Sequence, residues 1–377
     1  MIYLDNSATT KPYSAVLETY TKVASRYFAN PSSLHAFGQK VRELHEEARK
    51  QIAQLLGVRS DELIFTSGGT ESNNLALKGI AHRYKNRGRH LITTQVEHPS
   101  IKEVMGELEK EGFTVTYLPV DEQGVIRVSD FEHALREDTI LVSVMHVNNE
   151  VGSIQPIQEI SNRLSKHQAF FHVDNIQGMG MCELDLNGID LLSVSAHKLH
   201  GLRGTGLLYK KKGIELHSEM LGGGQEGGIR SGTENTAGAV AFAKALRLVL
   251  TEKENKLKDV LAIRDYLLQE LSQIEGIHVH SKKACMAPHI LCLSARGHRG
   301  EVLVHALEQK EIFVSTTSAC SSKAKLASST LKAMGVSDEE ATGAIRISLG
   351  YENTDAEAEQ FIVAFREVLE KINEVVK

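Results

Sequence analysis

The chain has 377 residues, of which 41% are hydrophobic and 24% charged, and its formal net charge is −5 at pH 7. This length allows a large core and favours a second domain, and the weak negative charge offers no overall attraction to nucleic acid or to an anionic membrane. The N-terminal residues lack the basic and apolar regions of a signal peptide, and no apolar run reaches the roughly 18 residues of a membrane helix. We therefore expect a cytoplasmic globular protein that binds neither membranes nor nucleic acid directly.

Short apolar runs alternate with segments of helical periodicity over the first 211 residues. The runs of strand length are ELIFTS (62–67), HLITTQ (90–95), TILVSVMHV (139–147), AFFHVD (169–174), DLLSVS (190–195) and TGLLYKK (205–211). Amphipathic segments such as SIKEVMGELEKEG and IQEISNRLSKHQ lie between several of them. This alternation predicts an α/β fold with a mainly parallel sheet that is buried on both faces.

The pattern changes after about residue 233. A long helical segment, GAVAFAKALRLVLTEKENKLKDVLAIRDYLLQELSQI, is followed by shorter strands and by a closing helix, TDAEAEQFIVAFREVLEKINEVV. We therefore predict a large domain of residues 15–250 and a smaller α+β domain of residues 1–14 and 251–377.

The spacing of cysteines and histidines gives no sign of a disulfide framework or a metal site. The four cysteines are scattered and form no C-x-x-C pair. His197 and His200 form one histidine pair and His278 and His280 another, but no cluster of glutamate or cysteine completes either as a set of metal ligands. We expect no bound metal, and the cysteine pattern leaves room for a single reactive thiol.

The first predicted strand runs into a segment suited to an anion. Gly68, Gly69 and Thr70 follow ELIFTS and open the next helix. Small residues at the N-terminus of a helix let backbone N–H groups and a hydroxyl surround a phosphate. Taken alone, a plain helix with Thr70 as its N-cap is the commoner arrangement.

Two later strands also end in residues of chemical interest. AFFHVD ends on Asp174, a carboxylate that needs a cationic or strongly donating partner such as a protonated ring nitrogen, unless it caps a turn. Lys198 follows DLLSVS, where a partly desolvated amine can form a Schiff base, although most lysines are solvated. Ser195 and His197 can bind a phosphate or orient this amine. The combination predicts a site for pyridoxal phosphate.

Motifs along nearly the whole chain are similar to those of cysteine desulfurases of the NifS/IscS type, which are class V aminotransferase-like, fold-type I pyridoxal phosphate enzymes. The motifs are YLDNSATT (3–10), NPSSLH (30–35), TSGGTESNN (66–74), EHPS (97–100), MHVNNEVG (145–152), FHVDNIQ (171–177), SAHKLHG (195–201), GGGQEGGIRSGTEN (222–235), SAC (318–320) and IRISLG (345–350). The resemblance implies a large domain with a mainly parallel seven-stranded sheet and a smaller α+β domain.

The same resemblance implies pyridoxal 5'-phosphate as the cofactor and a set of residues that bind it. These are Gly69, Thr70, His98, Asp174, Gln177, Ser195, His197, Lys198 and Thr233. Within the set, His98 stacks on the pyridine ring and Gln177 donates toward the phenolic oxygen. Thr233 reaches the phosphate in the neighbouring subunit, which implies a homodimer.

The substrate and the reaction are implied in the same way. Asn149 and Arg346 match the residues that bind the carboxylate of L-cysteine, and a guanidinium can bond both of its oxygens. Cys320 lies in VSTTSACSSKAKLASST, whose small polar residues and lysines predict an exposed mobile loop. With Lys198 and His98 it forms the catalytic set. Sulfur then passes from L-cysteine to Cys320 as a persulfide, L-alanine is released, and an acceptor protein for tRNA thiolation or iron–sulfur cluster assembly receives the sulfur.

Two other functions are compatible with the sequence. A selenocysteine lyase or cysteine sulfinate desulfinase would not require Cys320. A non-catalytic scaffold that binds sulfur-relay partners would have no physical need for Lys198, Asp174, His98, Arg346 and Cys320 together, so we regard it as the weaker alternative.

Overall fold

The computed structural model describes residues 1–281, 286–317 and 328–376. The strands, in chain order, are β1 (Ile2–Tyr3), β2 (Leu63–Thr66), β3 (His90–Thr94), β4 (Thr114–Leu118), β5 (Thr139–Met145), β6 (Phe170–Asp174), β7 (Leu191–Ser195), β8 (Gly206–Lys210), β9 (Ile277–Val279), β10 (Ile290–Ala295), β11 (Ile312–Phe313), β12 (Ser315–Thr316) and β13 (Ala344–Ser348). The α-helices are α1 (Ser14–Arg26), α2 (Ala36–Leu56), α3 (Gly69–Tyr84), α4 (Pro99–Lys110), α5 (Val128–Ala134), α6 (Ile157–Leu164), α7 (Thr236–Ser272), α8 (Gly300–Glu308), α9 (Ser329–Ala333), α10 (Asp338–Thr342) and α11 (Asp355–Val376).

The central sheet has seven strands in the order β2-β8-β7-β6-β5-β3-β4. Strands β3 to β7 pair in parallel with one another, whereas β8 is antiparallel to both of its neighbours. The mainly parallel α/β sheet is thus confirmed, and the six apolar runs each form one of its strands. The seventh strand, β4, has no apolar run because it lies at the edge, where only its last residue is fully buried.

Helices cover both faces of this sheet because neighbouring residues of a strand point to opposite sides. Leu191 and Leu208 pack in the core that includes α3 and α4, whereas Leu192 and Leu207 pack on the other face in the core that includes α2 and α7. With apolar helices on both sides, the strand interiors are closed to ligands. A binding site therefore has to lie at the strand ends.

The C-terminal part of the chain builds a separate antiparallel sheet in the order β12-β13-β10-β9. Strand β1 pairs in parallel with β11, so the N-terminus lies beside the C-terminal part. The predicted long helix and closing helix are confirmed as α7 and α11. Because α7 runs unbroken through residue 250, the division of the chain at that residue stays a prediction.

In the described part of the chain, no helix is both long and apolar enough to span a bilayer.

A buried ion pair attaches the glycine-rich segment 222–228 to the central sheet. Both terminal nitrogens of Arg49 donate to the carboxylate of Glu226, at 2.7 and 2.8 Å, and the N–H of Phe65 in β2 donates to it at 3.0 Å. Burial raises the pKa of Glu226, but the bonds from Arg49 and His45 outweigh burial and lower this pKa from 4.5 to about 2. The segment is thus held beside the strand that leads to Gly69.

We expect Glu226→Gln to lower the free energy of unfolding by about 3–5 kcal/mol, because it leaves the buried Arg49 guanidinium without its counter-charge. Since the folded-state pKa lies below the ordinary value, the contribution of Glu226 is complete above pH 4.5 and is lost as pH falls toward about 2. Urea denaturation at several pH values measures both effects. The control is Glu46→Gln, which removes a half-exposed partner of Arg49 and should change stability by less than about 1 kcal/mol. Equal effects of the two substitutions would contradict the prediction.

Candidate active site

A cavity of about 330 Å³ opens at the edge of the central sheet where β2 to β7 have their carboxyl ends. Ten of the residues predicted from sequence line it: Gly69, Thr70, His98, Asn149, Asp174, Gln177, Ser195, His197, Lys198 and Arg346. Thr233 does not line the cavity and is exposed. Cys320 lies outside the described residues.

One end of the cavity is suited to an anion. Helix α3 begins at Gly69 and its N-cap is Gly68, so the interpretation of Thr70 as the N-cap is wrong. A Cβ added to Gly69 would come within 2.1 Å of Ile176 Cδ1, so the Ile176 side chain would have to move to admit a larger residue. The buried Ser195 hydroxyl has no hydrogen-bond partner among the described residues. A helix N-terminus and an unpaired hydroxyl thus meet at this end.

The carboxylate of Asp174 lies at the bottom of the cavity and is 4% exposed. It accepts hydrogen bonds from the N–H of Ile176 at 3.0 Å and from Asn73 Nδ2 at 2.8 Å. The first bond caps a turn, as one interpretation of Asp174 predicted, while its pairing with a ring nitrogen stays a prediction. Burial raises the pKa of this carboxyl, and the bonds from Ile176 and Asn73 oppose that rise. A cationic group in the cavity would stabilise the ionised form.

Lys198 is held by the N-terminal segment and is not a solvated surface residue. Its Nζ donates to the carbonyl oxygen of Ser7 and, at 2.9 Å, to that of Ala8. Gln177 Nε2 donates to the same Ser7 oxygen at 3.0 Å. Burial, followed by the charge of Lys198, lowers the pKa of His197 to about 4. The imidazole next to the lysine is therefore neutral at physiological pH.

His98 is the N-cap of α4, where its Nδ1 accepts a hydrogen bond from the N–H of Ser100 at 3.1 Å. The same nitrogen lies 2.8 Å from the Ser100 hydroxyl. Burial is the largest effect and lowers the pKa of His98, whereas the charge of Asp174 acts against it. The result is a fixed, flat ring at the wall of the cavity, which suits stacking on an aromatic ligand.

Arg346 is buried at the wall of the cavity. It donates from Nη1 to the carbonyl oxygen of Asn149 at 2.9 Å and from Nη2 to Asp5 Oδ1 at 2.7 Å. Its Nε is buried and has no hydrogen-bond partner within the described ranges. The side chain is thus fixed in place while one donor stays available for a carboxylate.

Four residues that the sequence did not single out support this site: Asp5, Ser7, Asn73 and Ser100. They hold Arg346, Lys198, Asp174 and His98, respectively, through the contacts given above. All four lie within motifs quoted for the family resemblance, YLDNSATT, TSGGTESNN and EHPS, and the motif positions were the only signal for them.

Comparison with known proteins agrees with this geometry. The family model described as "Aminotransferase class-V" matches residues 2–361. A NifS/IcsS protein homolog of Lactobacillus delbrueckii subsp. bulgaricus is 50% identical over 100% of this chain and 99% of that protein. The cysteine desulfurase IscS of Dictyoglomus turgidum is 40% identical over 99% of this chain and 96% of its own length.

Two solved structures that are similar in fold are also NifS-like proteins. A NifS-like protein has a TM-score of 0.93 and 37% identity, with 98% of this chain and 99% of that chain covered. The NifS-like protein from Rickettsia africae has a TM-score of 0.88 and 30% identity, with the same coverage. The chain therefore belongs to the class-V aminotransferase family, within its pyridoxal-phosphate-dependent cysteine desulfurases of the NifS/IscS type.

Proposed function

We propose that the cavity converts L-cysteine to L-alanine and that Cys320 takes up the sulfur as a persulfide. The observation that carries this proposal is the convergence of ten residues, chosen from sequence alone, on one cavity of about 330 Å³. The positions of these residues span almost 280 residues of chain, so their meeting follows from the fold and not from sequence proximity.

The residues at the cavity fit pyridoxal 5'-phosphate. The unpaired Ser195 hydroxyl and the N-terminus of α3 suit the phosphate, the Asp174 carboxylate suits a protonated ring nitrogen, and the neutral ring of His98 suits the face of the pyridine. When bound, the cofactor supplies the electron sink for the charge that develops on the substrate α-carbon.

Lys198 is the base in this proposal. Its Nζ lies at the carbonyl groups of Ser7 and Ala8, which accept hydrogen bonds from it and hold the amine at the cavity. From there it removes the α-proton of the bound amino acid and later returns a proton to the alanine product.

Arg346 and Asn149 bind the substrate carboxylate. Asp5 and the Asn149 carbonyl already hold two of the guanidinium nitrogens, so little side-chain entropy is lost when substrate binds. This arrangement selects an amino acid over a simple amine.

We expect Arg346→Lys to raise KM for L-cysteine about 10- to 100-fold, because charged hydrogen bonds contribute about 1.5–3 kcal/mol and lysine lacks the planar fork. Binding of cysteamine, which has no carboxylate, should change less than threefold. Steady-state kinetics and a titration of the cofactor absorbance measure the two effects. Arg264→Lys is the matched control, since Arg264 is also buried but does not line the cavity. An equal loss for cysteine and cysteamine would contradict the assignment.

Cys320 completes the reaction. Its thiolate forms a bond to the substrate sulfur while the bond between that sulfur and Cβ breaks, and the electron pair of the broken bond stays on the three-carbon fragment. Protonation of the fragment gives alanine, so that L-cysteine and the Cys320 thiol become L-alanine and a Cys320 persulfide. An acceptor protein, either a tRNA-thiolating enzyme or an iron–sulfur scaffold, then takes the sulfur. The cytoplasmic location and the lack of direct nucleic-acid binding stay predictions.

We further propose a homodimer in which Thr233 reaches the cofactor phosphate of the partner subunit. Thr233 is exposed and outside its own cavity, as a contribution to a second subunit requires. Phe28, Leu34 and Leu221 are apolar side chains that are 76%, 98% and 86% exposed, and a subunit interface would cover such residues.

Mixed dimers test this arrangement. We expect Lys198→Ala and Thr233→Ala proteins, each of low activity alone, to regain activity when unfolded and refolded together. In a mixed dimer one site then combines an intact Lys198 with an intact Thr233 from the other subunit. The expected gain approaches one active site per mixed dimer, measured as alanine formed per chain. A mixture no more active than the sum of its parents would mean that Thr233 acts within its own subunit or not at all.

Alanine release with and without reductant tests the function as a whole. With dithiothreitol present, the cofactor-loaded protein should form alanine and sulfide in equal amounts over many turnovers. Without reductant or acceptor, alanine should stop near one equivalent per chain, because the Cys320 persulfide is not cleared. If Cys320→Ala releases alanine from selenocysteine or cysteine sulfinate as fast as the unaltered protein does, the lyase or desulfinase function replaces the one proposed. No alanine from any of the three substrates would favour the scaffold.

A further inference from the structure

Two histidines and a glutamate meet at the edge of the four-stranded sheet, and none of them lines the active-site cavity. His278 in β9 and His280 just after it point to the same side, and their ring centroids are 4.6 Å apart. Glu340, from α10, contacts Nδ1 of His278. One ring nitrogen of each histidine and one carboxylate oxygen of Glu340 all lie within 4.8 Å of one another.

We propose that His278, His280 and Glu340 bind one divalent transition-metal ion, with Zn²⁺ as the best match. Two imidazole nitrogens and one carboxylate oxygen form a donor set that suits Zn²⁺, whereas Mg²⁺ and Ca²⁺ prefer oxygen ligands alone. Ligand atoms around a tetrahedral Zn²⁺ lie about 3.3 Å apart, given bond lengths of about 2.0–2.2 Å. Small side-chain rotations therefore bring the three groups to coordinating distance, and water takes the fourth position.

The histidines are held on a rigid element, as a metal site requires. The N–H of His280 donates to the carbonyl oxygen of Cys292 in β10 at 2.8 Å, and His278 lies opposite Ser294. The Ser294 hydroxyl is 2.7 Å from His280 Nε2. This contact helps to hold the His280 imidazole in one orientation beside the strand.

The surrounding charge also favours a cation. Helix α10 begins with Asp338, Glu339 and Glu340, and the nearby Lys332 pairs with Asp338 at 2.9 Å. The His278 side chain is 44% exposed, so an ion can reach the site from solvent. A bound dication would join α10 to the edge strand, which predicts a gain in stability without a change in catalysis.

A second group of similar composition, His82, His217 and Glu219, is a poorer site. Both ring nitrogens of His82 already contact carboxylates, Nδ1 that of Glu219 at 3.0 Å and Nε2 that of Glu111 at 2.7 Å. Two of its members, His217 and Glu219, are exposed, whereas His278, His280 and Glu340 are all partly buried and are therefore better held in position. This group therefore serves as the control.

The test is a Co²⁺ titration of the cofactor-loaded protein after treatment with a chelator, in a Cys320→Ser background that removes the reactive thiol. We expect one Co²⁺ per chain, d–d absorption bands of a tetrahedral ion, and displacement by one equivalent of Zn²⁺. Glu340→Gln and His280→Asn should weaken binding at least about tenfold, while His217→Asn should leave it unchanged. Zn²⁺ should raise Tm of the Cys320→Ser protein but not that of Glu340→Gln.

Three results would overturn the proposal: unchanged Co²⁺ binding in Glu340→Gln, loss of binding in His217→Asn, or a thiolate-to-cobalt charge-transfer band in the near ultraviolet. If a variant fails to fold, the Cys320→Ser protein alone still tests the proposal. The site is rejected if that protein does not bind one tetrahedral Co²⁺ per chain. Alanine formation by a Glu340→Gln protein that retains Cys320 should equal that of the unaltered chain at saturating L-cysteine, so this test is independent of the proposed catalytic roles.

Discussion

Lys198→Ala is expected to lower kcat for alanine formation by at least about 100- to 10,000-fold, the contribution of a positioned acid–base group. The substitution removes the only amine that the structure directs into the cavity among the described residues that line it. It should also leave the cofactor without its covalent attachment, so that gel filtration at low cofactor concentration removes the cofactor from the variant but not from the parent protein.

Lys210→Ala is the matched control for this experiment. Lys210 is also largely buried, and its Nζ donates to the carbonyl oxygen of Ile214 at 2.8 Å, but it lies in β8 and does not line the cavity. We expect this variant to keep its cofactor and most of its kcat. A Lys198→Ala protein with more than a tenth of the parent activity would remove Lys198 from the catalytic role.

Asp174→Asn is expected to lower kcat by about 100-fold or more, because it removes the negative charge that favours a protonated ring nitrogen in a buried site. The Asp174→Asn substitution should leave the shape of the site unchanged. The buried Oδ1 of Asn73 has no partner among the described residues, so rotation of the Asn73 amide can offer an acceptor to the new amide at position 174. The loss should therefore be in kcat and in the cofactor absorbance, with little change in Tm.

Asp190→Asn provides the comparison. Asp190 is a half-buried carboxylate just before β7, at the opposite edge of the same sheet, and burial raises its pKa as it does that of Asp174. Its oxygen accepts from the N–H of Phe171 at 3.0 Å, so its substitution tests stability alone. If the two variants lose activity equally, the effect at Asp174 is structural and the ring-nitrogen assignment fails.

The sequence predicted the residues that line the cavity better than it predicted the residues that hold them in position. Asp174 and Lys198 were visible because each is a charged residue at or shortly after the end of an apolar run, and the parallel sheet brings such strand ends together. Asp5 and Arg346 are 341 positions apart, and nothing local in either segment indicates that they form a pair. The same holds for His278 and Glu340, which lie far apart in the chain, so that nothing in the sequence placed a carboxylate beside the histidine pair.

Local misreadings have equally specific causes. Strand β4 was missed because an edge strand needs no continuous apolar run. Thr70 was interpreted as a helix cap because threonine is common there, but α3 begins at Gly69 and its N-cap is Gly68. For Cys320, the composition of its segment and the family motif remain the basis of its assignment.

The mass of the Cys320-bearing peptide tests the central claim most directly. The cofactor-loaded protein is mixed with L-cysteine without reductant, trapped with an alkylating agent and digested. We predict one added sulfur on Cys320, formed together with released alanine, and neither product in the Lys198→Ala protein. Alanine with an unmodified Cys320, or a persulfide that forms equally without Lys198, would contradict the account.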